Sequence, residues 1–264
     1  MELSLKKNET EIISIPKKPE NELSGGIQMG NLLHDLLENL DFSSIRKSIS
    51  QEEWVSNHSV YQFIESFNEN YGFPNTMFSP LAEIIWKTFR TKIKLGESQD
   101  SPVLELASIE RDLREVDFYY PIPEEKRESN ELFFSNSTIE GWKVEKGFLR
   151  GSIDLIFEHN GKIYLLDWKS NILKDYNPEA LEKVVLEHYE LQFQIYTLAT
   201  SYWFKINCEE KYQERFGGVI YLFMRGINNN SNRFSTKLNS GVFFKRPSWK
   251  EFLDYEKKIC LIDY

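Results

Sequence analysis

Cysteine is scarce in this 264-residue chain: only Cys208 and Cys260 occur, and their spacing matches no metal-binding motif. Two isolated thiols exclude a disulfide-stapled scaffold and are typical of a protein in a reducing compartment, so we expect a cytoplasmic location. Long apolar runs are also missing. No stretch of about 18 apolar residues occurs, which excludes a membrane-spanning helix, and residues 1–18 lack the apolar segment of a signal peptide.

A glycine-rich phosphate loop ending in Lys-Ser or Lys-Thr is absent as well. The chain therefore lacks this kind of ATP site and is not expected to act by itself as a motor. Basic residues are in deficit, since 32 Lys and Arg stand against 41 Asp and Glu, for a net charge of -9. That deficit argues against a freestanding, non-specific nucleic-acid-binding protein, but it is compatible with a nuclease whose basic residues are few and local.

What the chain does contain is an ordinary globular composition, with 41% hydrophobic and 28% charged residues. Residues 1–24 are polar and are predicted to be a lead-in or linker, and residues 25–264 a single domain. Leucines at helical spacing predict that residues 25–100 are mainly helical. Residues 101–264 are predicted to form a catalytic sheet core, because strand patterns occur at residues 113–120, 148–157, 163–168 and 218–224. The fold class is therefore α/β (α+β).

Two helix starts are predicted from local capping signals. Ser79-Pro80 provides an N-cap and a first-turn proline for a helix that runs to about Lys94. Ser248, with Glu251 three residues later, predicts a capping box at the start of the last helix.

An Asn160-Gly161 pair separates two of the predicted strands and is the strongest short signal for a two-residue hairpin turn. Such a turn pairs His159 with Lys162 and so sets the register of the hairpin. In that register Asp154 lies directly opposite Asp167 on one face of the sheet. Opposed side chains have Cβ atoms about 4.5–5.5 Å apart, where like charges are destabilising.

Two facing carboxylates among apolar neighbours need a compensating charge, and a divalent cation supplies it because hard cations bind carboxylate oxygens. Lys169 lies two residues beyond Asp167 and therefore on the same face. The lysine can orient or deprotonate an attacking water, and its charged form can offset developing negative charge. The alternative is a solvated face on which Lys169 only pairs with an aspartate, since Asp-x-Lys triplets are common. The register match and the apolar neighbours favour the metal site.

Four segments extend this pattern: GFLRGSIDLIF at 147–157, YLLDWKSN at 164–171, YELQFQIYTLA at 189–199 and FGGVIYLFMRG at 216–226. In order and spacing they resemble the C-terminal nuclease domain of the RecB family, within the PD-(D/E)XK nuclease superfamily. The resemblance runs from about Gly26 to Gly226. It implies a restriction-endonuclease-like core, in which a mixed central sheet is flanked by helices and preceded by a helical part.

The resemblance also implies a set of metal ligands. Asp154 and Asp167 match two of them, and Trp168 would contribute its backbone carbonyl. The family more often has tyrosine at the position of Trp168, which leaves the carbonyl unaffected. His34 matches a further ligand on the first helix, where it follows Gly30 in a Gly-x-x-x-His pattern. Without that pattern, a histidine beside a leucine stripe is more often a packed helix residue than a ligand.

Other matches concern catalysis. Lys169 matches the catalytic lysine, and Gln192 and Tyr196 match a Gln-x-x-x-Tyr motif that would position DNA or the lysine. Their spacing places both side chains on one face of a helix, although by themselves they could equally be a surface pair and a core ring. Glu115 matches an acidic position on the first core strand that helps to hold the metal or its waters. Taken alone, Glu115 could equally be a solvated strand residue.

The function implied by the resemblance is a Mg²⁺-dependent DNA nuclease, with Mn²⁺ as a substitute and Ca²⁺ binding without turnover. The implied partners are single- or double-stranded DNA ends, a RecB-type helicase domain in the same polypeptide or a neighbour, RecC-like and RecD-like subunits, and RecA. Two alternatives stay open. One is a catalytically silent binding or assembly module, against which the intact set of site residues argues. The other is a nuclease of the same superfamily that acts on RNA or flapped DNA.

Overall fold

The computed structural model describes residue 23 and residues 25–96, 98, 100–121, 143–145, 148–227 and 240–260. The predicted lead-in at residues 1–24 lies outside this part of the chain except for Leu23. Residues 122–140 and 228–232 are polar stretches whose composition predicts surface loops, and they also lie outside the described residues. Among the helices that are described, none combines the length and the apolar character needed to cross a membrane.

The strands, in chain order, are β1 (Lys92–Lys94), β2 (Val103–Glu105), β3 (Asp112–Pro121), β4 (Lys143–Glu145), β5 (Phe148–His159), β6 (Lys162–Lys169), β7 (Phe216–Phe223) and β8 (Val242–Lys245). Strands β1 and β2 form a small antiparallel pair. The central sheet of the described residues has the order β3-β5-β6-β7-β8, with β4 also paired to β5. Its β6–β7 pair is parallel and its other pairs are antiparallel, which confirms the mixed sheet that the resemblance implied.

The helical part before the sheet contains α1 (Ile27–Asn39), α2 (Phe42–Lys47), α3 (Gln51–Ser56), α4 (His58–Asn70) and α5 (Phe78–Arg90). The prediction of a mainly helical segment is confirmed there. The predicted start and end of the last of these helices were wrong. A 3₁₀ turn at Asn75–Met77 runs directly into α5, so Ser79 lies inside the first turn and caps nothing. The chain becomes extended at Thr91, because Lys92–Lys94 pairs with β2 instead of continuing the helix.

Four further helices surround the rest of the sheet, namely α6 (Pro178–His188), α7 (Glu190–Trp203), α8 (Glu209–Arg215) and α9 (Trp249–Cys260), within the described residues. The capping box that was predicted before α9 is confirmed. The backbone N–H of Ser248 donates to Glu251 Oε2 at 2.7 Å, and the N–H of Glu251 donates to Ser248 Oγ at 3.2 Å. The reciprocal pair satisfies helix donors that would otherwise lack a partner.

The sheet is packed between two layers of helices. On one face Leu166, Trp168 and Ile220 join a cluster built from the leucines of α1 and the apolar side of α5. On the other face Leu165 and Tyr221 pack with the apolar residues of α7. Adjacent strand residues point to opposite faces, and neighbouring residues of β6 and β7 pack in different clusters, so these strands are apolar on both faces. The packing holds a helix against each face of the sheet.

The β5–β6 hairpin has the predicted register along five residue pairs, from His159 opposite Lys162 to Leu155 opposite Leu166. The ladder then ends one step before Asp154 and Asp167, where the sequence predicted a directly opposed pair. The alternation of β5 is interrupted at this point, since Leu155 and Ile153 pack in the clusters on opposite faces of the sheet. As a result, the Asp154 carboxylate reaches β6 from the side: its Oδ2 accepts the backbone N–H of Trp168 at 2.7 Å.

Candidate metal centre

Helix α1 and strands β3 and β5 bring three of the predicted site residues together. One ligand atom from each of His34, Glu115 and Asp154 lies within 4.8 Å of the other two. His34 Nδ1 is 3.6 Å from Asp154 Oδ2. One imidazole nitrogen and two carboxylate oxygens, held this close, form a donor set suited to a divalent cation.

Asp154 is a buried carboxylate with two other carboxylates nearby. Burial raises its pKa well above the ordinary value, and the negative charges of Asp167 and Glu115 raise it further. Lys169 and the N–H bond from Trp168 act in the opposite direction but do not outweigh these effects. The net direction shows that the folded protein disfavours the ionised form of Asp154 in the absence of a cation. A bound cation would reverse this preference.

Glu115 lies in register opposite Asp154, between the paired residues Arg114 and Val116 of β3. Its φ of 44° is a left-handed backbone conformation that is unusual for a residue with a side chain. Such strained residues persist where the surrounding structure holds them, often at functional sites. Ser152 Oγ donates to Glu115 Oε2 at 3.2 Å, and burial is the main cause of a raised Glu115 pKa. The structure thus places Glu115 at the site and not on a solvated face.

His34 is in a state that suits metal binding. Burial lowers its pKa, and so does the charge of Lys169, while Asp167 and a backbone hydrogen bond with Trp168 oppose the shift. A lowered pKa favours the neutral imidazole, which is the form that binds metals. The Trp168 side chain is buried against Phe89.

Asp167 forms a buried ion pair with Lys169. Asp167 Oδ2 and Lys169 Nζ are 2.6 Å apart, and the side chains are 3% and 13% exposed. Burial lowers the pKa of Lys169, but the attraction and hydrogen bond of Asp167 outweigh burial, so the net shift is upward. The ammonium form is therefore the stable one, which places a fixed positive charge next to the carboxylates.

The Gln-x-x-x-Tyr pair of α7 is connected to this ion pair by hydrogen bonds. Lys169 Nζ donates to Gln192 Oε1 at 3.4 Å, and Gln192 Nε2 donates to the Tyr196 hydroxyl at 2.9 Å. That hydroxyl donates to the Ser152 carbonyl at 2.5 Å and lies 3.4 Å from Asp167 Oδ1. Burial raises the pKa of Tyr196 well above its ordinary value, so the hydroxyl stays protonated. Tyr196 is thus a buried core ring whose hydroxyl is hydrogen-bonded to Gln192.

A cleft of about 810 Å³ opens onto these groups, with His34, Lys169, Tyr189 and Gln192 in its wall. Gly30 on α1 also lines it. A Cβ at Gly30 would lie 3.1 Å from Ser170 Oγ, so glycine permits α1 to approach the end of β6 closely. This close approach explains the spacing of Gly30 and His34 on the helix: one residue gives the contact and the other, a turn later, faces the carboxylates.

Two aromatic residues that no sequence pattern singled out lie beside Lys169. Tyr189 and Tyr221 stack with ring centroids 5.6 Å apart, and both rings lie near the Lys169 ammonium. The only signal for Tyr221 was a hydroxyl within the otherwise apolar run of β7, and an aromatic residue in a buried strand is most often part of the core. Tyr189 is the first residue of the segment YELQFQIYTLA, and its position there indicates no contact with Lys169.

The fold and this geometry agree with comparisons to known proteins. The sequence profile of the PD-(D/E)XK nuclease superfamily matches residues 10–251. The chain belongs to this superfamily. Asp154 lies on β5, and Asp167 and Lys169 lie on the adjacent strand β6.

The chain is similar to the RecBCD enzyme subunit RecB of Haemophilus influenzae, with 34% identity over 260 residues. The RecB subunits of Borreliella burgdorferi and Escherichia coli are 31% identical over 245 residues and 30% identical over 249 residues. The three alignments cover 92%, 91% and 88% of this chain but 19%, 20% and 20% of the relatives. The chain thus spans about a fifth of the length of these relatives.

Proposed function

We propose that the protein is a divalent-metal-dependent nuclease that hydrolyses phosphodiester bonds in DNA. One observation carries the proposal: His34, Glu115 and Asp154 converge to within 4.8 Å, beside the buried ion pair of Asp167 and Lys169. A cation-binding corner next to a fixed ammonium matches what phosphodiester hydrolysis requires, because negative charge builds up on the phosphate oxygens during the reaction.

His34, Glu115 and Asp154 would hold the cation, with Asp167 and the Trp168 carbonyl as adjacent oxygen donors. The residues fit a hard divalent ion because Asp154 is buried and is repelled by the negative charges of Asp167 and Glu115. A divalent cation would compensate these charges. When bound, Mg²⁺ would supply Lewis acidity and a water of lowered pKa. We propose Mg²⁺ as the physiological ion, Mn²⁺ as an active substitute and Ca²⁺ as an ion that binds without turnover.

The remaining groups act on the substrate and on one another. Lys169 presents its ammonium to the cleft, where it orients the attacking water and offsets charge on the scissile phosphate. Gln192 holds Lys169 through its carbonyl oxygen and receives its own orientation from the Tyr196 hydroxyl. The Tyr196 hydroxyl donates to the Ser152 carbonyl on β5, the strand that carries Asp154. The hydrogen bonds through Gln192 therefore hold Lys169 in a fixed position relative to Asp154.

A cleavage assay tests this function. Linear double-stranded, linear single-stranded and circular single-stranded DNA are incubated with the protein, with and without Mg²⁺. Wild-type protein should degrade at least one substrate only with Mg²⁺, and Asp167→Ala and Lys169→Ala should lose at least about a hundredfold in rate while staying folded. Lys183→Ala, on an exposed face of α6, is the matched control and should cleave like wild type. Undiminished cleavage by Asp167→Ala or Lys169→Ala would overturn the assignment.

The same experiment separates the alternative functions. A silent assembly module would cleave none of the substrates and would show no Mg²⁺ binding by calorimetry at millimolar concentration. A nuclease for RNA or flapped DNA would bind Mg²⁺ and cleave those substrates in preference to linear DNA. The hydrogen-bonded set around Lys169 favours the enzyme, because a scaffold gains no stability from burying neighbouring carboxylates.

We also propose a larger context for the activity. The relatives are subunits of a RecBCD enzyme, so we propose that this nuclease works beside a RecB-type helicase domain, in the same polypeptide or as a neighbour. RecC-like and RecD-like subunits, RecA, and a cytoplasmic role in double-strand-break repair belong to this proposal. Residues 25–264 would be one domain of the assembly, which the continuous packing of helices on both sheet faces supports. Co-purification with a helicase subunit would test the context.

A further inference from the structure

The Lys169 ammonium is placed against two aromatic rings as well as against Asp167. Lys169 Nζ lies 4.1 Å from the ring centroid of Tyr189 and 5.4 Å from that of Tyr221. The two rings stack on each other with an interplanar angle of 23°. A cation near a ring face is attracted by the electron density of the ring, and the attraction is stronger when the pair is withdrawn from water, as Lys169 is here.

Each ring is fixed by its own contacts. Tyr221 is fully buried in β7, and its hydroxyl donates to Gln192 Oε1 at 3.2 Å, the same oxygen that accepts from Lys169. Tyr189 lies at the junction between α6 and α7, and its hydroxyl donates to Asn171 Oδ1 at 3.3 Å. The rings therefore have little freedom to move away from the ammonium.

We propose that Tyr189 and Tyr221 form an aromatic seat that positions the Lys169 ammonium for hydrolysis. The inference rests on the proposed nuclease function. A divalent cation beside Asp154 and Glu115 would repel the ammonium and compete with it for Asp167. The two rings contact the Lys169 ammonium and are uncharged, so a bound cation does not repel them. The aromatic seat therefore holds the ammonium in place when the carboxylates bind the divalent cation. Tyr189 and Tyr221 are thus positioning residues that act through Lys169.

Steady-state kinetics of the full chain with Mg²⁺ test the seat. Tyr189→Leu removes the ring face and should lower kcat about tenfold with KM within about twofold. Tyr189→Phe keeps the ring and should restore kcat to within about twofold of wild type. Tyr202→Leu removes an exposed aromatic side chain at the far end of α7 and is the matched control. A raised KM with unchanged kcat for Tyr189→Leu would overturn the seat, since Tyr189 would then contact DNA. Equal defects in Tyr189→Phe and Tyr189→Leu would overturn it as well.

A second readout does not depend on nuclease activity. In the metal-free protein, the ε-methylene protons of Lys169 should show upfield NMR shifts from the ring currents, identified by their loss in Lys169→Met. These shifts should persist in Tyr189→Phe and decrease in Tyr189→Leu. Ordinary shifts in wild-type protein would overturn the seat even if the protein cleaves DNA. Upfield shifts in a protein without any cleavage activity would instead refute the proposed function and retain the contact.

Discussion

The guanidinium of Arg114 on β3 donates a hydrogen bond to the backbone carbonyl of Leu40, just past α1, at 2.6 Å. The same Nη1 donates to the Glu38 carbonyl at 2.7 Å, and Nε donates to Asp112 Oδ2 at 2.6 Å. Helix α1 carries His34, and the residue after Arg114 is Glu115. One side chain therefore ties the helix with the histidine to the strand with the glutamate, and it also satisfies carbonyls at the helix end that lack partners within the helix.

Replacing Arg114 should loosen this connection. We expect Arg114→Met to lower the free energy of unfolding by about 2 kcal/mol, because the carbonyls at the end of α1 lose a charged donor. Mg²⁺ affinity should fall as well, since His34 is no longer held beside Glu115. Urea denaturation in EDTA and calorimetric Mg²⁺ titration measure the two effects. The control is Arg111→Ala, whose side chain is 82% exposed and pairs with Glu158 at 3.7 Å, and which should change stability by less than about 0.5 kcal/mol. Equal effects of both variants would contradict the role of Arg114.

Asp154→Asn should separate stability from metal binding. The folded state raises the pKa of Asp154, mainly by burial and then through Asp167. A raised pKa means that the metal-free protein loses stability as pH rises above about 4, the ordinary aspartate pKa, until the folded carboxyl ionises. Asparagine removes this cost and keeps an oxygen for the Trp168 N–H. We therefore expect Asp154→Asn to be more stable than wild type at pH 7 in EDTA.

Added Mg²⁺ should reverse that order. The ion stabilises only the protein that binds it, so wild type should gain thermal stability while Asp154→Asn should not. Wild-type Mg²⁺ affinity should also weaken as pH falls, because protons compete for Asp154. Thermal denaturation in EDTA and in Mg²⁺, over a series of pH values, measures both effects. An Asp154→Asn protein that is destabilised in EDTA would show that the carboxylate is not an electrostatic burden in the metal-free fold.

Tyr196→Phe should affect both stability and turnover. Loss of the hydroxyl leaves the Ser152 carbonyl and the Gln192 amide without this partner, which should cost about 1–3 kcal/mol. Because Gln192 then loses its orientation toward Lys169, kcat should fall about tenfold. Tyr202→Phe, at an exposed position of the same helix, should leave both quantities unchanged. Wild-type kcat in Tyr196→Phe would mean that Gln192 orients Lys169 unaided.

DNA binding by this chain should be weak and only slightly sensitive to salt. The net charge of -9 means that the chain has no surplus of cations for phosphates, and a small number of phosphate contacts releases few counterions. The dissociation constant, measured by fluorescence anisotropy with Ca²⁺ in place of Mg²⁺, should rise no more than about tenfold between about 50 and 200 mM salt. A much steeper dependence would indicate an extended basic surface and would contradict delivery of DNA by a partner.

The sequence was most informative where structure is local. The Asn160-Gly161 turn was enough to predict the register of β5 and β6, because a two-residue turn leaves the strands one way to pair. Alternating and continuous apolar patterns predicted the buried strands. Two residues that the family resemblance indicated, His34 and Gln192, lie in the wall of one cleft, and Tyr196 is hydrogen-bonded to Gln192. The prediction that Ser79 caps a helix was wrong, because the residue type gives no information about the 3₁₀ turn that precedes the helix.

Local patterns thus predicted the hairpin, the order of elements and the residue types of the candidate site, because turn geometry and hydrophobic periodicity act between neighbouring residues. How the candidate site residues meet depends on the packing of separate elements. Glu115 has a left-handed backbone within β3. The hydrogen bond between Asp154 and Trp168 and the contact of Lys169 with Tyr189 each join separate elements. They depend on how α1 and α7 pack against the two faces of the sheet, which no local pattern encodes.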